Sequence, residues 1–302
     1  MVTTTEVLRY TAFAETPNGG NPAGVVLDAS ALTDAEMREI AAAVGYSETA
    51  FVMSSASSRR NEDSGIEGTA QGKALQRGYH IRYWSPAAEV PFCGHASVAT
   101  AVVLAERDGT GSFVFHTPAG NIPIVTSRSG TAQIQVAMTS VEPGIREFDP
   151  GILDALLNIL GLEASDIDPR FPPKEAFAGN WHPILVLNDA NIFNQFRFSP
   201  PAVADLMRSQ GWTGTVTILH ESAPDEFQAR NLFPVDRISE DPATGSAAAS
   251  TGAYLRSIGY SPAGSRVVIH QGMHVGRPSI LTALIPEQGG ITVLGSATPI
   301  AG

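Results

Sequence analysis

Three side chains of this sequence could move a proton without a metal ion or an organic cofactor: Glu48, His95 and Asp241. Glu48 is an isolated carboxylate, and partial burial in a crevice would favour the protonated form that suits a proton carrier. His95 lies where a helix is expected to begin, and a helix N-terminus disfavours imidazole protonation, so a neutral donor or acceptor is predicted. The local sequence leaves three alternatives open: a solvated Glu48, a capping or core His95, and an Asp241 that only caps a helix beginning at Pro242.

His95 belongs to a segment that has a near copy half a chain later. Residues 89–97 read EVPFCGHAS and residues 240–248 read EDPATGSAA, and aligning Gly94 with Gly245 also pairs a glutamate, a proline and an alanine. The offset between positions 94 and 245 is 151 residues, half of the 302 in the chain. Each copy continues into an apolar run of small residues that stops at a glycine, as helices commonly do. The repeat predicts two related half-domains, each with a strand, a glycine turn and a buried helix.

The two glycine turns predict a binding site for an anion. Backbone N–H groups at a helix start lack intrahelical partners, so each turn can hold a carboxylate or a phosphate. Ser246 matches His95 in the internal alignment and is predicted to supply a hydroxyl. Between Gly20 and Gly24, small residues would let another group approach the backbone closely. Two such turns facing each other would form a site in the crevice between the halves, occupied by a small carboxylate-bearing substrate.

The composition narrows the class of protein. With 43% hydrophobic and 16% charged residues the chain is expected to be globular, and its 29 Gly and 21 Pro favour many turns between short strands. A formal net charge of −11 repels nucleic acid and anionic membranes, so neither is an expected partner. No apolar run approaches about 20 residues, and the first residues lack the pattern of a signal peptide. We therefore expect a cytoplasmic protein.

The sequence gives little support for two-thiol racemisation, metal binding, nucleotide binding or serine hydrolase chemistry. Cys93 is the single cysteine, and the facing position in the repeat is Thr244, so a racemase with one thiol on each side of the substrate is excluded. Cys93 is then expected to be a small buried residue. His270 and His274 have metal-pair spacing, but Gly272 between them and a strand-like context argue against a helix. No Walker sequence, complete Gly-x-Gly-x-x-Gly turn or Gly-x-Ser-x-Gly elbow occurs. We predict no metal and no cofactor.

The remaining pattern predicts an α+β fold in two half-domains, residues 1–138 and 139–302, whose last strands could cross back to the first half. Residues 56–78 are polar, without periodicity, and are predicted to be an insertion. Predicted helices begin at the capping box 33–36 and end at Gly45, begin at Asp149-Pro150, and begin at Ser199-Pro200. Predicted strands cover residues 7–13, 24–27, 46–52, 79–84, 112–116, 122–125, 133–138, 184–187, 216–219, 227–233, 267–270, 280–284 and 291–294.

Five motifs in this order resemble the PhzF-like phenazine-biosynthesis family, which is related to diaminopimelate epimerases. They are GNPA at 20–23, SETAF at 47–51, PFCGHA at 91–96, EDPATGSA at 240–247, and QG at 271–272 with GRPS at 276–279. The resemblance implies two pseudo-symmetric halves, each a mixed sheet rolled around a central helix, with the site between them, and a homodimer. We expect the substrate to be bound within these motifs by Asn21, Ser47, Gly94, Thr244, Gly245 and Ser246.

The resemblance also implies isomerase chemistry. In the phenazine enzyme the glutamate that matches Glu48 moves a proton between two carbons of a dihydro-hydroxyanthranilate, while residues matching His95, Asp241 and Ser246 position the substrate. Residues 96–99 read ASVA where the phenazine enzymes proper have PLLG, and the insertion has no counterpart, so the reaction class carries over better than the substrate. The alternatives are an amino-acid racemase or epimerase that uses Glu48 with another base, and a non-catalytic metabolite-binding protein.

Overall fold

The fold is described from a computed structural model, which covers residues 5–56, 77–128, 130, 133–234 and 238–300. The predicted insertion at 56–78 lies, except for its ends, outside the described residues. Strands and a smaller number of helices alternate along the chain, and the sheet pairings are both parallel and antiparallel. The predicted α+β class is confirmed. The chain divides into two compact units, one formed by residues 1–11, 22–138 and 296–302, the other by residues 12–21 and 139–295.

In the described residues, the first unit is a mixed sheet with two helices. Its helices are α1 (Asp34–Val44) and α2 (Gly94–Asp108), and its strands are β1 (Leu8–Ala12), β2 (Asn21–Val26), β3 (Glu48–Ala56), β4 (Arg77–Trp84), β5 (Glu89–Val90), β6 (Gly111–Thr117), β7 (Gly120–Arg128), β8 (Ile134–Thr139) and β18 (Ala297–Pro299). The pairs β2–β3 and β4–β6 are parallel, whereas β3–β4, β6–β7 and β7–β8 are antiparallel. The predicted capping box at Thr33 and Glu36 is confirmed, as is the end of α1 at a left-handed Gly45.

The described part of the second unit combines a mixed sheet with four α-helices. Its helices are α3 (Pro150–Leu160), α4 (Ala190–Gln195), α5 (Pro200–Gln210) and α6 (Gly245–Ser257), and its strands are β9 (Gly144–Glu147), β10 (Lys174–Phe177), β11 (Trp181–Leu187), β12 (Val216–Ala223), β13 (Glu226–Leu232), β14 (Glu240–Asp241), β15 (Arg266–Gln271), β16 (Ser279–Leu284) and β17 (Thr292–Gly295). The pairs β11–β12 and β13–β15 are parallel. Leu156 and Leu160 of α3 share a core cluster with Val203 and Met207 of α5 and with Trp212.

The two helices that follow the sequence repeat are buried almost all round. Residues 95–105 of α2 are all buried, and so are residues 247–255 of α6. A helix that is apolar on every side belongs in the centre of a domain, and small side chains let neighbouring strands approach it. At Gly252, for example, an added Cβ would lie 2.9 Å from Ile291 Cγ2. The predicted buried helices are confirmed, whereas the pseudo-symmetry of the halves and the crevice between them stay predictions.

Two further expectations concern the metal pair and the membrane. His270 lies at the end of β15, whereas His274 lies in a short 3₁₀ turn, Met273–Val275, that begins after a left-handed Gly272. The helix that would bring the two imidazoles together as a metal pair is therefore not formed. No helix in the described part of the chain combines the length and the apolar character that a bilayer span requires.

Candidate functional site

Glu48 is placed by the connection between α1 and β3. α1 stops at Gly45, whose φ of 75° is the left-handed conformation that glycine adopts without steric cost, and Glu48 is the first residue of β3. β3 pairs in parallel with β2, with Glu48 opposite Ala23. At the next position of β2, an added Cβ on Gly24 would lie 2.7 Å from Thr49 Oγ1, so only glycine leaves room there. The GNPA and SETAF motifs are thus adjacent strands.

His95 is placed by the start of α2. Cys93 is the N-cap residue of this helix and makes no capping hydrogen bond with its side chain, and Gly94 and His95 are the first two helical residues. Ser97 donates a hydrogen bond to the Cys93 carbonyl (2.7 Å) and lies 2.6 Å from the Tyr83 hydroxyl, which ties the turn to β4. The backbone N–H groups at this helix start are therefore not occupied by a capping side chain, as the anion-binding prediction requires.

Four side chains of the first unit form one cluster. Glu48 Oε2 lies 3.3 Å from His95 Nε2, and Ser47 Oγ lies 3.3 Å from the same nitrogen. The Cys93 sulfur lies 3.5 Å from Glu48 Oε2 and 3.4 Å from His95 Nδ1. The structure therefore brings together the predicted residues Ser47, Glu48 and His95, and it adds Cys93. Cys93 is buried as predicted.

The burial of this cluster excludes one alternative for Glu48 and bears on the protonation of His95, whose alternative as a core histidine is equally compatible with burial. The Glu48 side chain is 18% exposed, so the alternative of a fully solvated carboxylate is wrong. Burial lowers the pKa of the His95 imidazole, and the nearby Glu48 carboxylate offsets only part of that effect. The neutral imidazole expected from the sequence is therefore favoured, with burial as the main physical cause. Within the described residues, Glu48, Cys93 and His95 also form the group whose donor atoms are close enough to share a metal ion.

In the second unit, which includes Asn21 at the start of β2, Asp241 belongs to a network of polar side chains around the second glycine turn. Its Oδ1 accepts a hydrogen bond from Asn21 Nδ2 (2.8 Å) and its Oδ2 accepts one from the Thr244 hydroxyl (2.5 Å). Gln271 donates to the Asp241 carbonyl (2.6 Å) and accepts from the Thr244 backbone N–H (3.1 Å). The structure thus joins the predicted residues Asn21, Asp241 and Thr244. Gln271 was missed as a site residue, although its QG motif was part of the resemblance.

The alternative role for Asp241 as the cap of a helix beginning at Pro242 is wrong. Helix α6 begins at Gly245, and its N-cap is Thr244, whose side chain makes no capping bond. Asp241 instead pairs in β14 with Asn231 of β13, and its carboxylate is directed to Asn21 and Thr244. The start of α6 is therefore left without a side-chain cap, as at α2.

Ser246, the second residue of α6, contacts a buried histidine that sequence reasoning missed. His182 Nε2 lies 3.0 Å from Ser246 Oγ, and His182 Nδ1 lies 3.0 Å from the Thr215 backbone nitrogen and 3.1 Å from the Thr215 carbonyl oxygen. A backbone N–H can only donate and a carbonyl oxygen can only accept, so these contacts are compatible with either tautomer of the imidazole. An added Cβ at Gly214 would lie 2.3 Å from the His182 ring, so glycine is needed beside it.

We expect His182 to make folding stability fall on mild acidification. Burial lowers the pKa of His182 to about 4, whereas an unfolded histidine has a pKa of about 6.5. Below pH 6.5 the unfolded chain therefore binds a proton that the folded chain does not, which costs about 2 kcal/mol of stability between pH 7 and pH 5. Urea unfolding of wild type and His182→Gln at both pH values checks this result. The lowered pKa of His95 makes wild type and variant alike lose stability on acidification, so the His182 effect is the difference between them. Equal losses of stability in wild type and His182→Gln would contradict the assignment to His182.

The sequence matches the family described as phenazine biosynthesis-like protein, PhzC-PhzF, over residues 10–301. A protein of Deinococcus radiodurans named as an isomerase is 33% identical, with 94% of this chain and 88% of that protein covered. The trans-2,3-dihydro-3-hydroxyanthranilate isomerase of Pseudomonas chlororaphis is 28% identical, with 90% and 87% covered. The expectation that this protein is an isomerase is confirmed by the names of these relatives.

A solved structure shows the same fold. The PhzF-family phenazine biosynthesis protein of Bacillus anthracis superposes with a TM-score of 0.77 at 25% identity, and the match covers 98% of this chain and 96% of that protein. The chain belongs to the phenazine biosynthesis-like (PhzC-PhzF) protein family.

Proposed function

We propose that this protein is a cofactor-independent isomerase that shifts a proton on a small carboxylate-bearing metabolite, with Glu48 as the acid and base. The observation that carries the proposal is the contact between the Glu48 carboxylate and the His95 imidazole, 3.3 Å apart in a largely buried cluster. A carboxylate can remove a proton from one carbon and return it to another without any cofactor. The neutral imidazole can accept or donate a hydrogen bond as the charge on the substrate moves.

The substrate carboxylate is proposed to bind at helix N-termini. The starts of α2 and α6 both lack a capping side chain. Their backbone N–H groups, together with the positive end of each helix dipole, can therefore bind an anion. Ser246 is proposed to take part at α6, because its hydroxyl lies 3.0 Å from His182 Nε2 and can donate to a ligand oxygen when the imidazole carries its proton on Nε2. Asp241, Asn21 and Thr244 hold the shape of the same turn through their hydrogen bonds.

The substrate class follows from the relatives and from the departures noted above. The Pseudomonas chlororaphis relative acts on trans-2,3-dihydro-3-hydroxyanthranilate by name, which makes that compound the first one to try. The sequence after His95 differs from that of the phenazine enzymes proper, and it lies in the buried start of α2 beside the cluster. We therefore propose a related small carboxylate rather than that compound as the physiological substrate. The homodimer stays a prediction.

Proton NMR in D₂O tests this function. Wild-type protein is incubated with trans-2,3-dihydro-3-hydroxyanthranilate and, separately, with a panel of small unsaturated carboxylates and L-amino acids. We expect deuterium to enter a carbon of at least one compound with a change in its double-bond position. Deuterium at the α-carbon with loss of optical purity would instead identify a racemase. Ligand binding without deuterium uptake from any compound would identify a non-catalytic binding protein and contradict the proposal.

A further inference from the structure

The cluster at the start of α2 has a property that proton transfer does not require. Its three donor atoms are a sulfur (Cys93 Sγ), a nitrogen (His95 Nε2) and an oxygen (Glu48 Oε2). The nitrogen and the oxygen are 3.3 Å apart, the sulfur and the oxygen 3.5 Å, and the sulfur and the nitrogen 3.7 Å. Cysteine thiolate, imidazole and carboxylate are the three ligand types that proteins use for Zn²⁺.

These distances match the spacing of ligands around a tetrahedral zinc ion. With Zn–S of about 2.3 Å and Zn–N and Zn–O of about 2.0 Å, a tetrahedral site places nitrogen and oxygen about 3.3 Å apart and sulfur about 3.5 Å from either. The three observed distances depart from those of that geometry by about 0.2 Å at most. Because the sulfur also lies 3.4 Å from His95 Nδ1, the imidazole must turn for the Nε2 lone pair to face an ion shared with Cys93 and Glu48. A fourth position is then left for water.

The three ligands are also held by regular structure and withdrawn from solvent. Cys93 and His95 are fixed at the N-terminus of α2, two residues apart, and Glu48 is fixed at the first position of β3. Cys93 is 8% and His95 6% exposed, so an ion there would have few competing waters. Sites carried by helices and strands hold their geometry better than sites on loops.

We propose that Cys93, His95 and Glu48 form a Zn²⁺ site, and that its occupation inhibits the enzyme by engaging the Glu48 carboxylate. Binding replaces the thiol proton of Cys93, which leaves to solvent, by a sulfur–zinc bond, and no electron transfer is involved. A carboxylate oxygen that donates its lone pair to zinc no longer accepts a proton from a substrate carbon. The inhibition rests on the proposed function, whereas zinc binding by this cluster does not.

Cobalt substitution tests the binding step without any substrate. Chelator-treated, reduced protein is titrated with Co²⁺ and then with Zn²⁺, and the near-ultraviolet band of cobalt–thiolate charge transfer is recorded. We expect a band that saturates at one ion per chain and disappears when Zn²⁺ displaces Co²⁺. Cys93→Ser should remove the band, and Glu48→Gln should keep it while weakening the affinity at least about tenfold. No thiolate band in wild type, or undiminished zinc affinity in Cys93→Ser, would overturn the site.

The matched control addresses the other close histidines of the first unit. His80 and His116 have ring centroids 4.9 Å apart on neighbouring strands and offer a different place for a divalent ion. The double variant His80→Gln/His116→Gln should keep the thiolate band and the zinc affinity of wild type. Loss of zinc binding in this variant would assign the ion to the histidine pair and overturn the proposal.

The inhibition is tested in a separate step. Zinc at the concentration that fully displaces Co²⁺ from the Cys93, His95 and Glu48 site should abolish deuterium uptake by wild type, and a chelator should restore it. Zinc that binds with the thiolate signature but leaves turnover intact would overturn the inhibitory part and would also count against Glu48 as the base. Absence of turnover with every substrate would contradict the proposed function alone, because the spectroscopic result does not depend on turnover.

Discussion

Replacing Glu48 by glutamine is expected to lower kcat at least about 10³-fold, because a positioned acid or base typically contributes about 10² to 10⁴ and here one group performs both steps. Glutamine has the size and shape of glutamate, and its amide can still contact the His95 nitrogen that lies 3.3 Å from the carboxylate. It cannot, however, take a proton from carbon. The variant should therefore fold, bind the substrate with an affinity near that of wild type, and fail to exchange deuterium.

The measurement separates binding from chemistry. Initial rates by proton NMR give kcat and KM for the substrate found in the screen, and calorimetry gives the affinity for a non-reacting analogue. Glu39→Gln is the matched control, since it makes the same substitution at an exposed position of α1 in the same unit and should leave kcat unchanged. A Glu48→Gln protein with the turnover of wild type would show that another group carries the proton.

Much of the fold could be predicted because its signals are local in sequence. The capping box before α1, the Asp149-Pro150 start of α3 and the glycines after the helices all act within about one turn of the helix they delimit. The small apolar residues after each copy of the repeat likewise indicated the buried helices α2 and α6. The short helix α4 was missed, because six residues hold no repeating apolar pattern that would indicate a helix.

The candidate site could be predicted where its residues share a motif and not where they meet through sheet pairing. Ser47 with Glu48, and Cys93 with His95, are near neighbours in sequence, so the motifs placed them together. His182 reaches Ser246 because Thr215, just before β12, holds the imidazole that β11 carries. No residue pattern near His182 contains that information, since it depends on the parallel pairing of strands about 30 residues apart along the chain.

The two arginines that bind the glutamates before the glycine turns were also missed, because they reach those glutamates through strand pairing. Arg82 donates two hydrogen bonds to Glu89 from β4, and Arg230 donates two to Glu240 from β13. In each case the arginine lies two residues before the residue that pairs with the glutamate across the strands. The two glutamates are aligned in the sequence repeat, but their partners lie outside it.

Replacing Arg230 by glutamine is expected to destabilise the protein by about 3 to 5 kcal/mol, because it leaves a buried carboxylate without its counter-charge. The Arg230 side chain is 5% exposed and that of Glu240 10%, and the guanidinium binds both carboxylate oxygens. It also donates to the backbone carbonyls of Phe193 and Phe196 (3.2 Å each), at the end of α4 where helix carbonyls lack intrahelical partners. It stacks on the Phe196 ring at 3.8 Å. One substitution therefore removes an ion pair, two helix-terminal hydrogen bonds and a ring contact.

Arg82→Gln provides the matched comparison in the other unit. Arg82 binds Glu89 with the same two-bond geometry and also donates to Asp34 (2.8 Å), but the side chains of Arg82, Glu89 and Asp34 are 26%, 31% and 70% exposed, so water can take over the lost contacts. We expect a loss of at most about 1 kcal/mol for that variant. Urea unfolding of both variants at pH 7 measures the difference between a buried and an exposed pair of the same type.

The double variant Arg230→Gln/Glu240→Gln identifies the physical cause of the loss. If the buried, unpaired charge dominates, removing that charge should restore part of the stability that Arg230→Gln loses, although the contacts to Phe193 and Phe196 remain absent. If the helix-terminal and ring contacts dominate, the double variant should be no more stable than the single one. Equal, small losses in Arg230→Gln and Arg82→Gln would contradict the prediction. Because Asp241 follows Glu240 directly in β14, the turnover of Arg230→Gln should fall together with its stability.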